Sequence, residues 1–239
     1  MIRFDHVSIE YEKGKRVLDD ISFEIKDGES VGLIGANGAG KSTVMKSLLG
    51  LIPHEGSITV DGLEVYKENL SQVRKKLGLV LQNSDNQMFM PTVLEDIMFG
   101  LLNYGMSREE AEKKADGILS KLGLEDLKYR HNHKLSGGEK RMAAIATVLA
   151  MEPDAVLMDE PTSALDPYNR RIIIDTIRGM NITKIITSHD LDMIMDTCSR
   201  VILLSGGRVA ADGDADVILR DKELLESKRL ELPLSLQTR

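Results

Sequence analysis

The stretch Gly35-Ala36-Asn37-Gly38-Ala39-Gly40-Lys41-Ser42-Thr43 sets three glycines beside a lysine and two hydroxyls, a combination suited to holding a polyphosphate. Glycine reaches backbone conformations closed to residues with a side chain, so successive N–H groups can turn toward one anion. Ser30-Val31-Gly32-Leu33-Ile34 enters the stretch like a buried strand, and Val44-Met45-Lys46-Ser47-Leu48-Leu49 leaves it with helical spacing. The glycines therefore sit at a strand-to-helix turn, where the positive end of the helix dipole adds to the site. In that setting Lys41 reaches the β- and γ-phosphates of a nucleoside triphosphate, and the Ser42 hydroxyl can ligate Mg²⁺. A loop that only turned a corner would have no use for Lys-Ser at this offset.

Other residues bear on the same chemistry. Ala155-Val156-Leu157-Met158 reads as a buried strand ending in Asp159-Glu160-Pro161. Asp159 can hold Mg²⁺, usually through water, while Glu160 can polarise an attacking water. Lys184-Ile185-Ile186-Thr187-Ser188 delivers His189 to the same edge, and Leu77-Gly78-Leu79-Val80-Leu81 ends at Gln82. Polar side chains at the ends of buried strands stand where ligands bind in α/β sheets, so Gln82 is a candidate Mg²⁺ or water contact and His189 a candidate γ-phosphate contact. Leu135-Ser136-Gly137-Gly138-Glu139-Lys140-Arg141 opens an amphipathic helix with Ser136 as N-cap and Glu139 as its capping-box partner. Its glycines leave N–H groups bare, which makes a second anion-type helix end. Asp166 caps a helix begun by Pro167. Tyr11, at the first turn of the chain, either stacks on a base or is a half-exposed strand tyrosine.

Positioning these groups takes a sheet, and the chain reads accordingly. Ile2–Val7 and Val17–Ile25 alternate as short strands around a turn at Glu12-Lys13-Gly14-Lys15, and Ser57–Gly62 returns as a strand. From Pro91 the period becomes helical: Val93–Phe99 is one piece, and Ser107-Arg108-Glu109-Glu110 is a capping box ahead of Ala111, Ala115, Ile118, Leu119 and Leu122. A helical subdomain over 83–151 follows. Asp190–Cys198 reads as a helix, Arg200–Leu204 as a strand, Gly206–Gly213 as a hairpin return, and the remainder to Arg239 as a short helix and polar tail. The methionines are read as core or contact residues, not metal ligands. At 239 residues and a net charge of −7 the chain can bury a sizeable core and lacks the basic balance of a sequence-independent nucleic-acid binder. The one cysteine, Cys198, excludes an internal disulfide framework and fits a reducing compartment. No signal-peptide pattern is visible, and the apolar run from Met142 to Met151 is far short of the ~18 residues a bilayer span needs. A membrane role must then act through another chain.

Taken together, the Gly35–Ser42 loop, Gln82, Leu135–Glu139, Asp159-Glu160, Ser163–Asp166 and His189, in this order, resemble the ATP-binding cassette ATPases over nearly the whole chain. The resemblance implies an α/β phosphate-loop fold with a mostly parallel core sheet and an N-terminal antiparallel β-subdomain (1–82 and 152–239), and an inserted helical subdomain (83–151). It implies ATP and Mg²⁺ as ligands and a second cassette, identical or paralogous, stacked head to tail. ATP on the Gly35, Asn37, Gly38, Gly40, Lys41, Ser42 and Thr43 loop of one copy is then closed over by Ser136 and Gly138 of the other. It assigns adenine stacking to Tyr11, the water-polarising role to Glu160 and a cross-dimer contact to Asp166. Asn83-Ser84-Asp85-Asn86-Gln87-Met88-Phe89 resembles the Pro-Asp-Asn-Gln-aromatic stretch of prokaryotic energy-coupling-factor importers, with Ser84 where that family often has Pro. This implies a transmembrane coupling subunit docking near Asp85, Asn86 and Gln87, at the cytoplasmic face of the cell membrane. Leu232-Pro233-Leu234 is similar to the tail of the cobalt and nickel members. The expected function is thus the ATPase of a metal or vitamin importer, against a soluble non-transport cassette or an ATP-gated switch. Glu160 argues against the switch. The length leaves no room for the coiled-coil insertion or fused second cassette common in soluble cassettes.

Overall fold

Strands that are apolar on both faces need cover on both faces, and the central strands of this chain have that pattern. In a computed structural model describing residues 1–12 and 14–237 they form one six-stranded sheet. Lys13, assigned above to the first turn, and Thr238 and Arg239, assigned to the tail, lie outside the described residues. In chain order the elements are β1 (Ile2–Glu12), β2 (Lys15–Ile25), β3 (Ser30–Ile34), α1 (Lys41–Leu48), β4 (Glu55–Val60), β5 (Leu63–Glu64), α2 (Leu70–Lys76) and β6 (Leu77–Val80). Then come α3 (Val93–Asn103), α4 (Arg108–Leu122), α5 (Gly137–Leu149), β7 (Ala155–Asp159), α6 (Pro167–Gly179), β8 (Thr183–Thr187) and α7 (Leu191–Thr197). The chain closes with β9 (Arg200–Ser205), β10 (Arg208–Asp214), α8 (Ala215–Arg220) and α9 (Lys222–Ser227). The large sheet runs β10-β9-β3-β8-β7-β6, parallel except for β10. A smaller antiparallel sheet, β2-β1-β4-β5, packs beside it. This is the α/β phosphate-loop architecture the sequence leads one to expect.

Side-chain alternation divides the core between the two faces of the large sheet. Val156, Met158, Ile186, Val201 and Leu203 pack with residues of α3 through α7, while Val31, Leu33, Leu157, Ile185, Ile202 and Leu204 pack with α1 and the small sheet. Each such fully buried aliphatic contributes about 1.5–3 kcal/mol, so the sheet that carries the site is buttressed on both faces.

Several expectations change in detail. β1 runs on to Glu12, which puts Tyr11 inside a strand and not at a turn. The strand expected over Ser57–Gly62 is β4, and it pairs with β1. Helix α2 was not foreseen: it is seven residues long with only Val73 buried, too little apolar repeat to read. Where a short helix and a polar tail are expected there are two short helices and a turn at Leu234–Leu236, with Leu225 buried and Leu230 and Leu232 packed on the core.

Candidate functional site

Parallel register is what assembles the site. Thr187 of β8 pairs with Leu33 of β3 on one side and Asp159 of β7 on the other, and Val80 of β6 pairs with Met158. The segments that leave these strands therefore emerge at one edge, the carboxyl end of the sheet. A cavity of about 290 Å³ lies there, lined by residues 37–43 with Gln82, Asp159, Glu160 and His189, and by Val17, an apolar strand residue with no site signal of its own.

The loop conformation demands its glycines. Gly35 has φ 151° and a Cβ there would stand 2.4 Å from the Leu204 carbonyl oxygen. Gly40, at φ 109°, caps α1 and offers no side chain to the first-turn N–H groups, which stay directed to an anion. Lys41 is buried, and its ammonium donates to the carbonyls of Gly35 (2.6 Å) and Ala36 (3.3 Å). Burial pushes its pKa down, while the charges of Glu160 and Asp159 pull it back up. Gly35 itself does not line the cavity, and Tyr11 is exposed, with its hydroxyl 3.4 Å from Thr43 Oγ1.

The two acidic residues are held differently. The Thr187 hydroxyl donates to Asp159 (2.5 Å). Glu160 Oε2 accepts from the Ser188 hydroxyl and the His189 N–H, both at 3.2 Å. Its other oxygen, Oε1, is buried with no hydrogen-bond partner and lies 3.6 Å from His189 Nε2. Glu160 also has φ 48°, the left-handed region, which costs a side-chain-bearing residue about 1–2 kcal/mol. Strain and an open acceptor on one carboxylate, facing a polar cavity, suit a group that takes a proton from water. Ser42, Gln82 and Asp159 offer a hydroxyl, an amide oxygen and a carboxylate to the same cavity, a hard-oxygen set appropriate to Mg²⁺. Among the described residues no group of three or more His, Cys, Asp or Glu side chains is placed to hold a metal ion.

Ser136, Gly138 and Asp166 are not in this cavity. The capping box at Ser136 forms: its hydroxyl accepts from the Glu139 N–H (3.3 Å) and the Glu139 carboxylate accepts from the Ser136 N–H (2.8 Å). That occupies the N–H groups of Ser136 and Glu139 and leaves those of the exposed Gly137 and the buried Gly138 without intrahelical partners. A Cβ on Gly138 would fall 2.0 Å from Asn169 Oδ1, and Asn169 Nδ2 in turn donates to Asp166 (2.5 Å). The start of α5 thus packs against the start of α6, whose cap is Asp166.

Gln87 differs from the expectation that it belongs to a docking surface with Asp85 and Asn86. Its side chain turns inward and is half-buried: Oε1 accepts from the Leu81 N–H (3.0 Å), and Nε2 donates to Ala144 O (2.7 Å) and Thr147 Oγ1 (3.0 Å). An amide supplies both the acceptor and the donor that the end of β6 and the side of α5 lack. Asp85 and Asn86 remain exposed, Asp85 in an ion pair with Lys140. Sequence reasoning also missed Arg141, which is buried and donates to the carbonyls of Leu81 (2.6 Å) and Gln82 (2.5 Å). An arginine abutting the apolar run Met142–Met151 was the available signal.

The ABC transporter family model matches residues 18–163. A Geobacter sulfurreducens protein, provisionally named an ABC transporter ATP-binding protein, is 49% identical over 95% of this chain and 92% of its own length. The energy-coupling factor transporter ATP-binding protein EcfA of Methanothermobacter thermautotrophicus is 40% identical over 98% of this chain and 77% of its own length. Among solved structures, cbiO1 of Clostridium perfringens, described as part of the ABC transporter complex cbiONQ, superposes with a TM-score of 0.85 at 33% identity, covering 95% and 93% of the two chains. The ATP-binding cassette MJ0796, dimeric and bound to ADP and Pi, gives 0.80 at 28% identity, covering 90% and 99%.

Proposed function

This chain belongs to the ABC transporter family of ATP-hydrolysing subunits, and from that premise we propose that it energises an importer of the energy-coupling-factor type, for a transition metal such as cobalt or nickel or for a vitamin. The observation that carries the reading is a division: one cavity holds the phosphate loop, Gln82, Asp159, Glu160 and His189, while Ser136, Gly138 and Asp166 stand outside it on exposed or interhelical surface. A phosphate site with a second anion-binding helix end that cannot fold onto it needs another cassette, and two such head-to-tail contacts close as a twofold pair. ATP joins the halves, and loss of the γ-phosphate releases them. The dimeric ADP-bound relative supports the pairing.

In the proposed reaction Lys41 and the loop N–H groups bind the β- and γ-phosphates, with Tyr11 beside the adenine. A water oxygen attacks the γ-phosphorus, the bond to the β-phosphate oxygen breaks, and the water's proton passes to Glu160, leaving ADP and phosphate. Ser188 and the His189 amide aim the Glu160 carboxylate, and the His189 imidazole meets the γ-phosphate. Ser42, Gln82 and Asp159 would hold Mg²⁺, which neutralises phosphate charge when bound.

No helix among the described residues is long and apolar enough to cross a membrane. In the proposed importer the chain sits at the cytoplasmic face through a transmembrane subunit. That subunit docks on the groove of about 450 Å³ beside Asp85, Phe89, His131 and His133, next to Asn86, with Phe89 exposed at 63% and stacked edge-on against the exposed Phe99. The names of the EcfA and cbiONQ relatives and the Leu232-Pro233-Leu234 tail support the importer class. The test is ATP-driven uptake of cobalt or nickel into vesicles carrying the chain with its membrane partners. Glu160→Gln should keep nucleotide binding and an ATP-dependent dimer while uptake and turnover fall by about 10²–10⁴-fold. Wild-type turnover in that variant would remove Glu160 from its role.

A further inference from the structure

Strand β6 ends at Val80, so the backbone groups of Leu81 and Gln82 leave the sheet ladder and must find other partners. Two side chains supply them. Gln87 accepts the Leu81 N–H, and the two Nη atoms of Arg141 donate to the Leu81 and Gln82 carbonyls. Both are anchored to one helix: Arg141 is a residue of α5, and Gln87 donates to Ala144 O and Thr147 Oγ1 of α5. Arg141 is 4% exposed, its Nε has no partner, and burial pushes its pKa down against the pull of Asp159. Filling that space would take only a methionine. What a guanidinium alone provides is a rigid fork that holds two carbonyls at once.

We infer that Arg141 and Gln87 are positioning residues, a two-sided clasp that fixes the Leu81–Gln82 backbone to α5 and so sets the Gln82 side chain in the nucleotide cavity. The inference rests on the ATPase reading above and deepens it. Because α5 begins at Ser136 and Gly138, the clasp ties Gln82 in one cavity to the helix end that the same chain presents to its partner's cavity. Gln82 and that helix end then move as one body, and the state of one nucleotide is felt at the other site.

The test uses the full chain with Gln87→Leu, and with Arg141→Lys, which keeps the charge but not the fork. Thermal melting establishes folding, equilibrium binding of a fluorescent ATP analogue gives Kd, steady-state hydrolysis gives kcat, and hydrogen exchange reports the Leu81 and Gln82 amides. Gln87→Leu should lower kcat between about tenfold and a hundredfold with Kd unchanged, as misplacement of a reacting group does. Exchange at Leu81 should quicken by about tenfold as its bond to Gln87 is lost. Gln87→Glu, which keeps the acceptor arm toward Leu81 and loses the donor arm toward Ala144 and Thr147, should fall between. A folded Gln87→Leu chain with wild-type kcat overturns the inference, and so does a parallel loss of kcat and Kd, the mark of general damage. If Gln87→Leu does not fold, Arg141→Lys carries the kcat and Kd readouts, with the same fall in kcat at unchanged Kd expected and wild-type kcat overturning the inference. A wild-type chain that failed to hydrolyse ATP would overturn the ATPase reading instead, and the exchange measurement would still decide the clasp.

Discussion

Two helix ends in this molecule are suited to anions, and their surroundings differ. The start of α1 lies among buried residues, with Lys41 folded onto its own loop and Asp159, Glu160 and His189 brought to it by strand register. The start of α5 is exposed at Ser136 and Gly137, anchored from below by Gly138 against Asn169, and contributes nothing to the cavity. The first is organised by the chain that carries it. The second is offered outward, which in the proposed pair makes it the lid of a neighbour's site.

That contrast can be broken at either end. The largest effect is expected at the inner one: Lys41→Ala removes the buried cation that meets the phosphates, and a charge-assisted hydrogen bond of about 1.5–3 kcal/mol predicts a loss of ATP affinity between about tenfold and a hundredfold. Isothermal titration checks this, and unaltered affinity would count against the phosphate-loop assignment. At the outer end, Gly138→Ala forces Asn169 away from Asp166, a packing and hydrogen-bond loss of about 1–2 kcal/mol. For a chain of this size that lowers Tm by about 2–8 °C, with intrinsic nucleotide binding kept, because α1 is untouched. An unchanged Tm would show that the two helix starts are not coupled. The smallest effect lies away from both: burial pushes the Cys198 thiol up to about 11, so at pH 8 the native chain should not react with Ellman's reagent, and the denatured chain should react at once. Fast native labelling would mean that this part of the core opens.

The inner site was readable because local chemistry specifies it. Gly35, Gly38, Gly40 and Lys41 declare a loop by residue type, and Asp159, Glu160 and His189 each follow an apolar run that reads as a strand. What could not be read was contact between residues far apart in the chain. Thr187 holding Asp159, Ser188 holding Glu160, and Val17 reaching the cavity from β2 all depend on sheet order, which no single segment encodes. Arg141 and Gln87 show the same limit from the other side. Gln87 lies in a stretch that suggests docking and Arg141 in one that suggests no role for it, and only the approach of α5 to the end of β6 reveals where their side chains go. Tyr11 falls inside β1 because that strand runs on to Glu12, past its apolar alternation.

The central claim, that each cavity is completed by the α5 start of another copy, is tested most directly by mixing two defective chains. Lys41→Ala lacks the inner half and Ser136→Arg the outer half, so each should be inactive alone. A mixed dimer restores one intact site of two, and a 1:1 mixture in which half the dimers are mixed should recover about a quarter of wild-type ATPase activity. Full activity of Ser136→Arg by itself, or a mixture no more active than its parts, would contradict the account.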